Sequence, residues 1–313
     1  MAFKRTPQIF SASVNEVTFG TGDRAVTIGG ANVLPLYSFD AELPHKAAVG
    51  VEISDTGVDL SLEGMAAYYS GCTTAAEYAK RACEMEGADF VVLTFTGADP
   101  AGLNRSVEEC VEIAKEVIHA IDLPLAVQGC KNIEKDTQLF EKLAEALQGE
   151  NVLFVSCREE NHKVLSAAVG IAYGQKLSAE SAVDINLAKQ LNVLISQIGV
   201  KPENHVMNIG SAAAGYGYEY VASTLDRVRS AALAQNDTAL QMPIITPVGS
   251  EAWSVKEAIV SEEDIPEWGS REKRGIHMEV STAASALAGG SDAVILRHPE
   301  SVKTISRLVA ELM

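Results

Sequence analysis

Short apolar runs alternate with stretches of helical spacing along most of the chain. The apolar, β-type runs fall at 47–53, 90–95, 124–128, 152–156, 182–184, 205–209, 243–247 and 293–296. Apolar positions three and four apart mark helices over 73–86, 106–120, 134–147, 161–174, 186–198, 219–234 and 272–287. Ser106 and Glu109 have the spacing of a capping box, and Ser254 with Glu257 repeats it. Pro299 opens a closing helix at the position where its missing N–H matters least. Runs such as Phe90-Val91-Val92-Leu93 and Ala293-Val294-Ile295-Leu296 are short, apolar and unalternating, as buried parallel strands should be. Eight strands, each followed by helix, predict an α/β fold of the (β/α)8 TIM barrel type. An open doubly wound sheet would use fewer strands and an early Gly-rich phosphate turn, which is missing.

The first forty residues break this rhythm. Residues 14–19 and 24–28 lean toward β structure on either side of Gly20-Thr21-Gly22-Asp23, which is a hairpin signal. The expected division is an N-terminal hairpin extension over 1–45 and a TIM barrel over 46–313, with the hairpin plugging or flanking the barrel's bottom. A barrel of roughly 250 residues plus an extension uses up a chain of 313.

Charge narrows the function classes. Acidic residues outnumber basic ones 42 to 25, a net charge of −17 that repels phosphate backbones and anionic lipid, so neither nucleic acid nor membrane is expected as a partner. No apolar run approaches the roughly 18 residues of a membrane span. Met1 to Arg5 lacks the apolar core of a signal peptide, and a cytoplasmic location is expected. Five widely spaced cysteines, with no C-x-x-C, argue against a disulfide framework and against a zinc or iron–sulfur site within the chain. They read as small buried hydrophobes.

In such a barrel, chemistry gathers at the C-terminal ends of the strands. Those ends carry Glu52 and Asp55, Asp99, Gln128 to Asn132, Ser156-Cys157-Arg158, Asp184-Ile185-Asn186, Asn208-Ile209-Gly210, Gly249-Ser250-Glu251 and Arg297-His298. Amides, hydroxyls and small residues dominate, and no lysine ends the sixth strand as a Schiff-base aldolase would require. Asp184 and Asn186 serve either a ligand or the cap of the next helix, the commoner use. Arg297 suits an anion or a carboxylate at the mouth. His298 has no evident carboxylate to tune it and reads as a loop residue. Cys130 and Cys157 are expected to be inert. The segment from Gly210 to Tyr220, with Gly215, Tyr216 and Gly217 at its centre, is either a close-approach surface or a flexible connection with packed tyrosines. The charged stretch 262–274, with Trp268, and nearby Trp253 suggest a partner surface on the barrel top.

Several segments occur in a recognisable order: Gly97-Ala98-Asp99-Pro100, Gly129-Cys130, Asp184-Ile185-Asn186, Gly215 to Tyr220, Gly249 to Trp253, Trp268-Gly269 and Arg297-His298-Pro299-Glu300. In this the chain resembles the small (delta) subunits of the corrinoid/iron–sulfur protein of the CO dehydrogenase/acetyl-CoA synthase pathway. The resemblance implies a heterodimer with a large subunit that carries the iron–sulfur cluster, leaving none in this chain. It implies a corrinoid (cobamide) shared at the subunit interface, a methyltetrahydrofolate:corrinoid methyltransferase as methyl donor and acetyl-CoA synthase as acceptor. It also implies that this chain is non-catalytic, the methyl chemistry belonging to the cofactors. With the corrinoid at the barrel mouth, the expected contacts are Asp184, Asn186, Asn208, Gly210, Gly215, Tyr216, Gly217, Gly249 and Arg297. The alternative is a free-standing pterin- or folate-dependent methyltransferase, with Asp184, Asn186 and Asn208 gripping the pterin.

Overall fold

A computed structural model describes residues 6–36 and 38–313, so the leader reading at Met1 to Arg5 lies outside the described residues. Two short strands, β1 (Glu16–Phe19) and β2 (Val26–Gly29), form an antiparallel hairpin with Val17 opposite Ile28. The remaining strands are β3 (Ala48–Ser54), β4 (Phe90–Thr94), β5 (Leu125–Gln128), β6 (Leu153–Cys157), β7 (Lys176–Glu180), β8 (His205–Asn208), β9 (Ile245–Pro247) and β10 (Ala293–Leu296). They pair in parallel in the order β8-β7-β6-β5-β4-β3-β10-β9. A parallel bridge between Met207 and Ile244, with the Met207 N–H donating to the Pro243 carbonyl at 2.7 Å, joins the two ends and closes the barrel.

Helices cover the outside. They are α1 (Glu63–Tyr68), α2 (Ala75–Cys83), α3 (Val107–Ala120), α4 (Ile133–Ala146) and α5 (His162–Leu165), which runs on as π-helix over Ser166–Ala172. Then come α6 (Ile185–Ile198), α7 (Tyr218–Ala234), α8 (Val248–Ala252), α9 (Lys256–Ile259), α10 (Arg271–Gly289) and α11 (Pro299–Leu312). The Ser106 capping box forms as expected, and Thr74 with Glu77 makes another at the start of α2.

Strand residues alternate between two apolar environments. Val49, Val51, Val91, Leu93 and Val127 face the helices, while Ala48, Phe90, Val92, Ala126, Val206 and Ile295 fill the lower barrel. The hairpin completes that inner cluster with Val17, Phe19 and Ile28, so it plugs the bottom. Phe19 meets Phe90 edge to face, with centroids 5.2 Å apart. The Asn151 side chain donates to the Thr18 and Gly20 carbonyls at 3.0 and 2.9 Å and pins the hairpin there. Gly29, at φ +93°, cannot be replaced, because a Cβ would lie 2.0 Å from the Asn15 carbonyl oxygen.

Two expectations are corrected. The fifth barrel strand is Lys176–Glu180, and 182–184 is a turn in which Ala182 and Val183 take positive φ. The true strand alternates polar and apolar because Ser178 and Glu180 face a polar barrel interior while Leu177 and Ala179 face the helices. A search for unbroken apolar runs passes over it. The box at Ser254 and Glu257 does not form: Ser254 Oγ donates to the Glu251 carbonyl, and the Glu257 carboxylate accepts from Tyr216 instead.

Two predictions follow from the packing. Phe19→Ala should destabilise the barrel by about 3–5 kcal/mol in denaturant melts, as for other buried aromatics. His205 is fully buried with neither ring nitrogen hydrogen-bonded, and burial lowers its pKa from 6.5 to about 4. Its folded-state pKa is depressed, so the unfolded chain binds the proton first and stability falls as pH drops from 6.5 toward 4. By pH 4.5 this amounts to on the order of 2 kcal/mol. His205→Met should flatten that part of the stability–pH curve; an unchanged slope would rule the assignment out.

Candidate functional site at the barrel mouth

Above the apolar plug, the inward positions turn polar: Glu52, Thr94, Gln128, Ser178, Glu180 and Asn208, with Arg297 just past β10. Most of these groups satisfy one another. Arg297 forks onto Glu52, Nε to Oε2 at 2.9 Å and Nη2 to Oε1 at 2.8 Å, and Thr94 Oγ1 donates to the same carboxylate at 3.1 Å. Burial lowers the guanidinium pKa, but the Glu52 charge and hydrogen bonds outweigh it and hold the pKa above its ordinary value. Arg158 Nη2 pairs with Glu180 at 2.9 Å. Asn208 Nδ2 donates to Ser156 Oγ at 3.0 Å, and its Oδ1 accepts from the Gly210 N–H at 2.9 Å.

A fully buried carboxylate braces the last strand's end. Glu279, on α10, accepts the backbone N–H groups of Arg297 and His298 at 2.7 and 3.3 Å, and burial raises its pKa. His298 Nδ1 accepts from the Glu300 N–H at 3.1 Å, which leaves Nε2 to donate to Glu272 at 3.0 Å. The expectation that His298 has no carboxylate beside it is therefore corrected. Glu272 stands 26 residues earlier, and only the packing of α10 on the mouth brings it there. The His298 ring also stacks on Trp253, with centroids 5.9 Å apart.

The mouth holds two chambers whose linings share no residue. One, of about 250 Å³, lies against the arc from β5 to β9 and is lined by Gln128, Arg158, Glu180, Asn208, Ser211 and Glu251 among others. Gln128 Oε1 is buried there without a hydrogen-bond partner. The other, of about 350 Å³, lies against β3 and β10 and is lined by Ser54, Thr56, Leu62, Met65, Trp253 and Arg297 among others.

The residues singled out from sequence are dispersed over this surface. Asn208 and Gly210 line the first chamber and Arg297 the second. Asp184 caps α6, accepting from the Asn186 and Leu187 N–H groups at 2.7 and 3.2 Å; it and Asn186 are exposed and line neither chamber. Gly249 lies beneath Arg297, whose Cγ would be 2.9 Å from a Cβ at that position. Gly215 and Gly217 have φ near +85° and +87°, so a local turn alone accounts for both. Tyr216 between them is exposed and donates to Glu257 at 2.6 Å. Of the two indoles, Trp253 packs inward over Gly275, and Trp268 is exposed between Lys256 and Arg274. Burial pushes the Cys130 and Cys157 thiols up to about 12, so neither is a thiolate at neutral pH. Among the described residues, no group of three or more His, Cys, Asp or Glu is placed to hold a metal ion, and no helix is long and apolar enough to cross a membrane.

Closed parallel strands, an apolar plug below and a polar, self-paired mouth above define a (β/α)8 barrel. Solved structures agree in fold. Dihydropteroate synthase from Vibrio fischeri superposes with a TM-score of 0.56 at 11% identity, covering 94% of this chain and 97% of that one. The enzyme from Thermus thermophilus gives 0.53 at 14% identity, covering 95% and 100%. The sequence is more specific. The family model of the CO dehydrogenase/acetyl-CoA synthase delta subunit matches residues 16–308, and the chain belongs to that family. An Archaeoglobus fulgidus acetyl-CoA decarbonylase/synthase complex subunit delta is 31% identical over 294 residues, covering 92% of this chain and 64% of its own. The Methanopyrus kandleri subunit delta is 31% identical over 290 residues, covering 91% and 70%. The chain thus spans about two thirds of the length of these relatives.

The mouth also yields a prediction. Glu52→Gln removes the charge that neutralises Arg297, whose side chain is one-third exposed, so the loss should be about 2–3 kcal/mol, short of the fully buried case. Glu52→Gln with Arg297→Met should recover much of it in denaturant melts.

Proposed function

We propose that this chain is the barrel subunit of a corrinoid/iron–sulfur methyl carrier, and that its mouth covers one side of a corrinoid held jointly with a large partner subunit. The observation that carries this reading is the family match over residues 16–308, with relatives named for the acetyl-CoA decarbonylase/synthase complex. In this reading the large subunit carries the iron–sulfur cluster. Methyl groups arrive from methyltetrahydrofolate through its corrinoid methyltransferase and leave to acetyl-CoA synthase, in the cytoplasm.

The residues at the mouth suit such a cofactor. A corrin ring is rigid and much larger than either chamber, so it would lie across the rim with only its edge groups reaching inside. Gln128 Oε1, buried and unpartnered, is an acceptor suited to an N–H donor on that edge. Asn208, Gly210 and Arg297 stand at the chambers, and Tyr216 and Tyr220 offer exposed rings above them. When bound, the corrinoid supplies the cobalt that carries the methyl group. This chain's own part is to orient the ring and keep water from one face of it. The pterin-methyltransferase alternative gains less support, because Asp184 is engaged at the α6 cap and Asn208 is tied to Ser156 and Gly210.

Co-expression with the large subunit tests the reading. A corrinoid absorbance band is expected in the complex and not in this chain alone. Tyr220→Ala and Trp268→Ala, both at exposed rings, should weaken subunit association or corrinoid retention about tenfold or more with melting temperature unchanged. Micromolar binding of methyltetrahydrofolate by the lone chain would instead favour the alternative.

A further inference from the structure

The chamber beside β3 and β10 has a composition that selects for one kind of group. Among the described residues, two side-chain N–H donors of its lining make no hydrogen bond: one edge of Arg297 and the buried Nε1 of Trp253. Nε and Nη2 are both taken by Glu52, while Nη1 makes no hydrogen bond among the described residues. The hydroxyls of Ser54, Thr56 and Thr96 line the same chamber, with Thr56 2.8 Å from Ser54 and 3.0 Å from Thr96. The remaining wall is apolar: Ile53, Val58, Leu62, Met65 and the Trp253 ring.

Charge then decides what fits. Glu52 and Asp59 in the lining balance Arg297 and Arg271, and both pairs are formed, at 2.8 and 3.0 Å. The chamber is neutral inside a chain of net charge −17, so an anion gains little from Arg297 and is repelled by the whole. A cation finds no carboxylate unpaired. A neutral group with both an acceptor and N–H donors matches every exposed partner. We infer that this chamber receives a primary carboxamide on a short aliphatic arm. Its oxygen accepts from Arg297 Nη1, its NH2 donates to the Ser54 and Thr56 hydroxyl oxygens, and its methylenes lie on Leu62, Met65 and Trp253. Resting on the corrinoid reading, the arm is one of the amide-ended chains at the edge of the ring, and the chamber fixes the ring's rotation over the barrel.

The full chain carrying Trp268→Phe leaves Trp253, a chamber residue, as the only indole. Its emission is titrated with butyramide and with butyrate. Cobinamide retention is measured separately, by equilibrium dialysis of the complex with the large subunit, in which Trp268 is kept and the wild-type chain is the parent. Butyramide should shift the emission saturably in the millimolar range expected of so small a ligand, and butyrate should bind at least tenfold more weakly. Thr56→Val and Leu62→Phe, the second filling the chamber, should each weaken both amide and cobinamide binding fivefold or more. Two variants are used so that one that misfolds, by its melting temperature, leaves the other to decide. Butyrate binding more tightly than butyramide would overturn the ligand class. Cobinamide retained equally by the parent and both variants, with no response to butyramide, would overturn the chamber assignment and leave the corrinoid reading intact. Butyramide bound as expected but cobinamide not retained would uphold the chamber and sink the corrinoid reading.

Discussion

The contact between Glu52 and Arg297 joins the first barrel strand to the last. β3 and β10 are neighbours in the closed sheet, yet their residues are separated by 245 positions, and this fork lies across their junction. A carboxylate left alone at a buried inward position would be strongly penalised, and so would a guanidinium turned into the barrel. Each is tolerable because the other is in reach, which requires the barrel to be closed in this register. Gly249 leaves space for the arginine stem, and Glu279 holds the backbone from which the arginine projects. The chamber beside β3 and β10 has this pair as its floor.

Below that level the barrel is filled by carbon. The hairpin supplies what the strands lack there: Ala48, Gly50, Ala126 and Ala293 are small inward residues, and Phe19 and Phe90 occupy the space they leave. Gly50 shows how close the fit is, since a Cβ there would lie 2.4 Å from the Phe90 ring. The extension is thus part of the core energetically, although it precedes the first barrel strand in sequence. A sealed bottom leaves the mouth as the accessible end of the barrel's interior.

Most of this architecture was legible because helices and buried strands obey local periodicities. Phe90 to Thr94 and Ala293 to Leu296 announce themselves as unbroken apolar runs. Lys176 to Glu180 does not, since its inward positions face a polar layer that exists only once the barrel is closed. The paired charges were harder to see. Glu279 and Glu272 sit in a helix rich in charged residues, where a glutamate reads as solvated, and nothing local marks one as fully buried and the other as the partner of His298. Glu257 satisfies the spacing of a capping box and is diverted by a tyrosine 41 residues away. Gly215 and Gly217 were visible as unusual, but positive φ is a requirement of the turn itself and says nothing of what approaches from outside.

The same pairing extends around the mouth. Catalytic groups do their work by holding a charge or a proton that their surroundings leave incompletely satisfied. Here Glu52 has Arg297, Glu180 has Arg158, Asp59 has Arg271 and His298 has Glu272. The half-buried Cys130 and buried Cys157 thiols are held in their protonated form. Among the described residues, what stays open includes an amide oxygen at Gln128, one guanidinium edge at Arg297, a set of hydroxyls, and the exposed Lys131 ammonium, which stands 3.7 Å from Glu251. Such groups discriminate by shape and by the number of hydrogen bonds they can complete, and they exert little pull on a bond that must break. On the corrinoid reading proposed above, such groups would hold a large neutral ring in one orientation, and the methyl chemistry would belong to the cofactor.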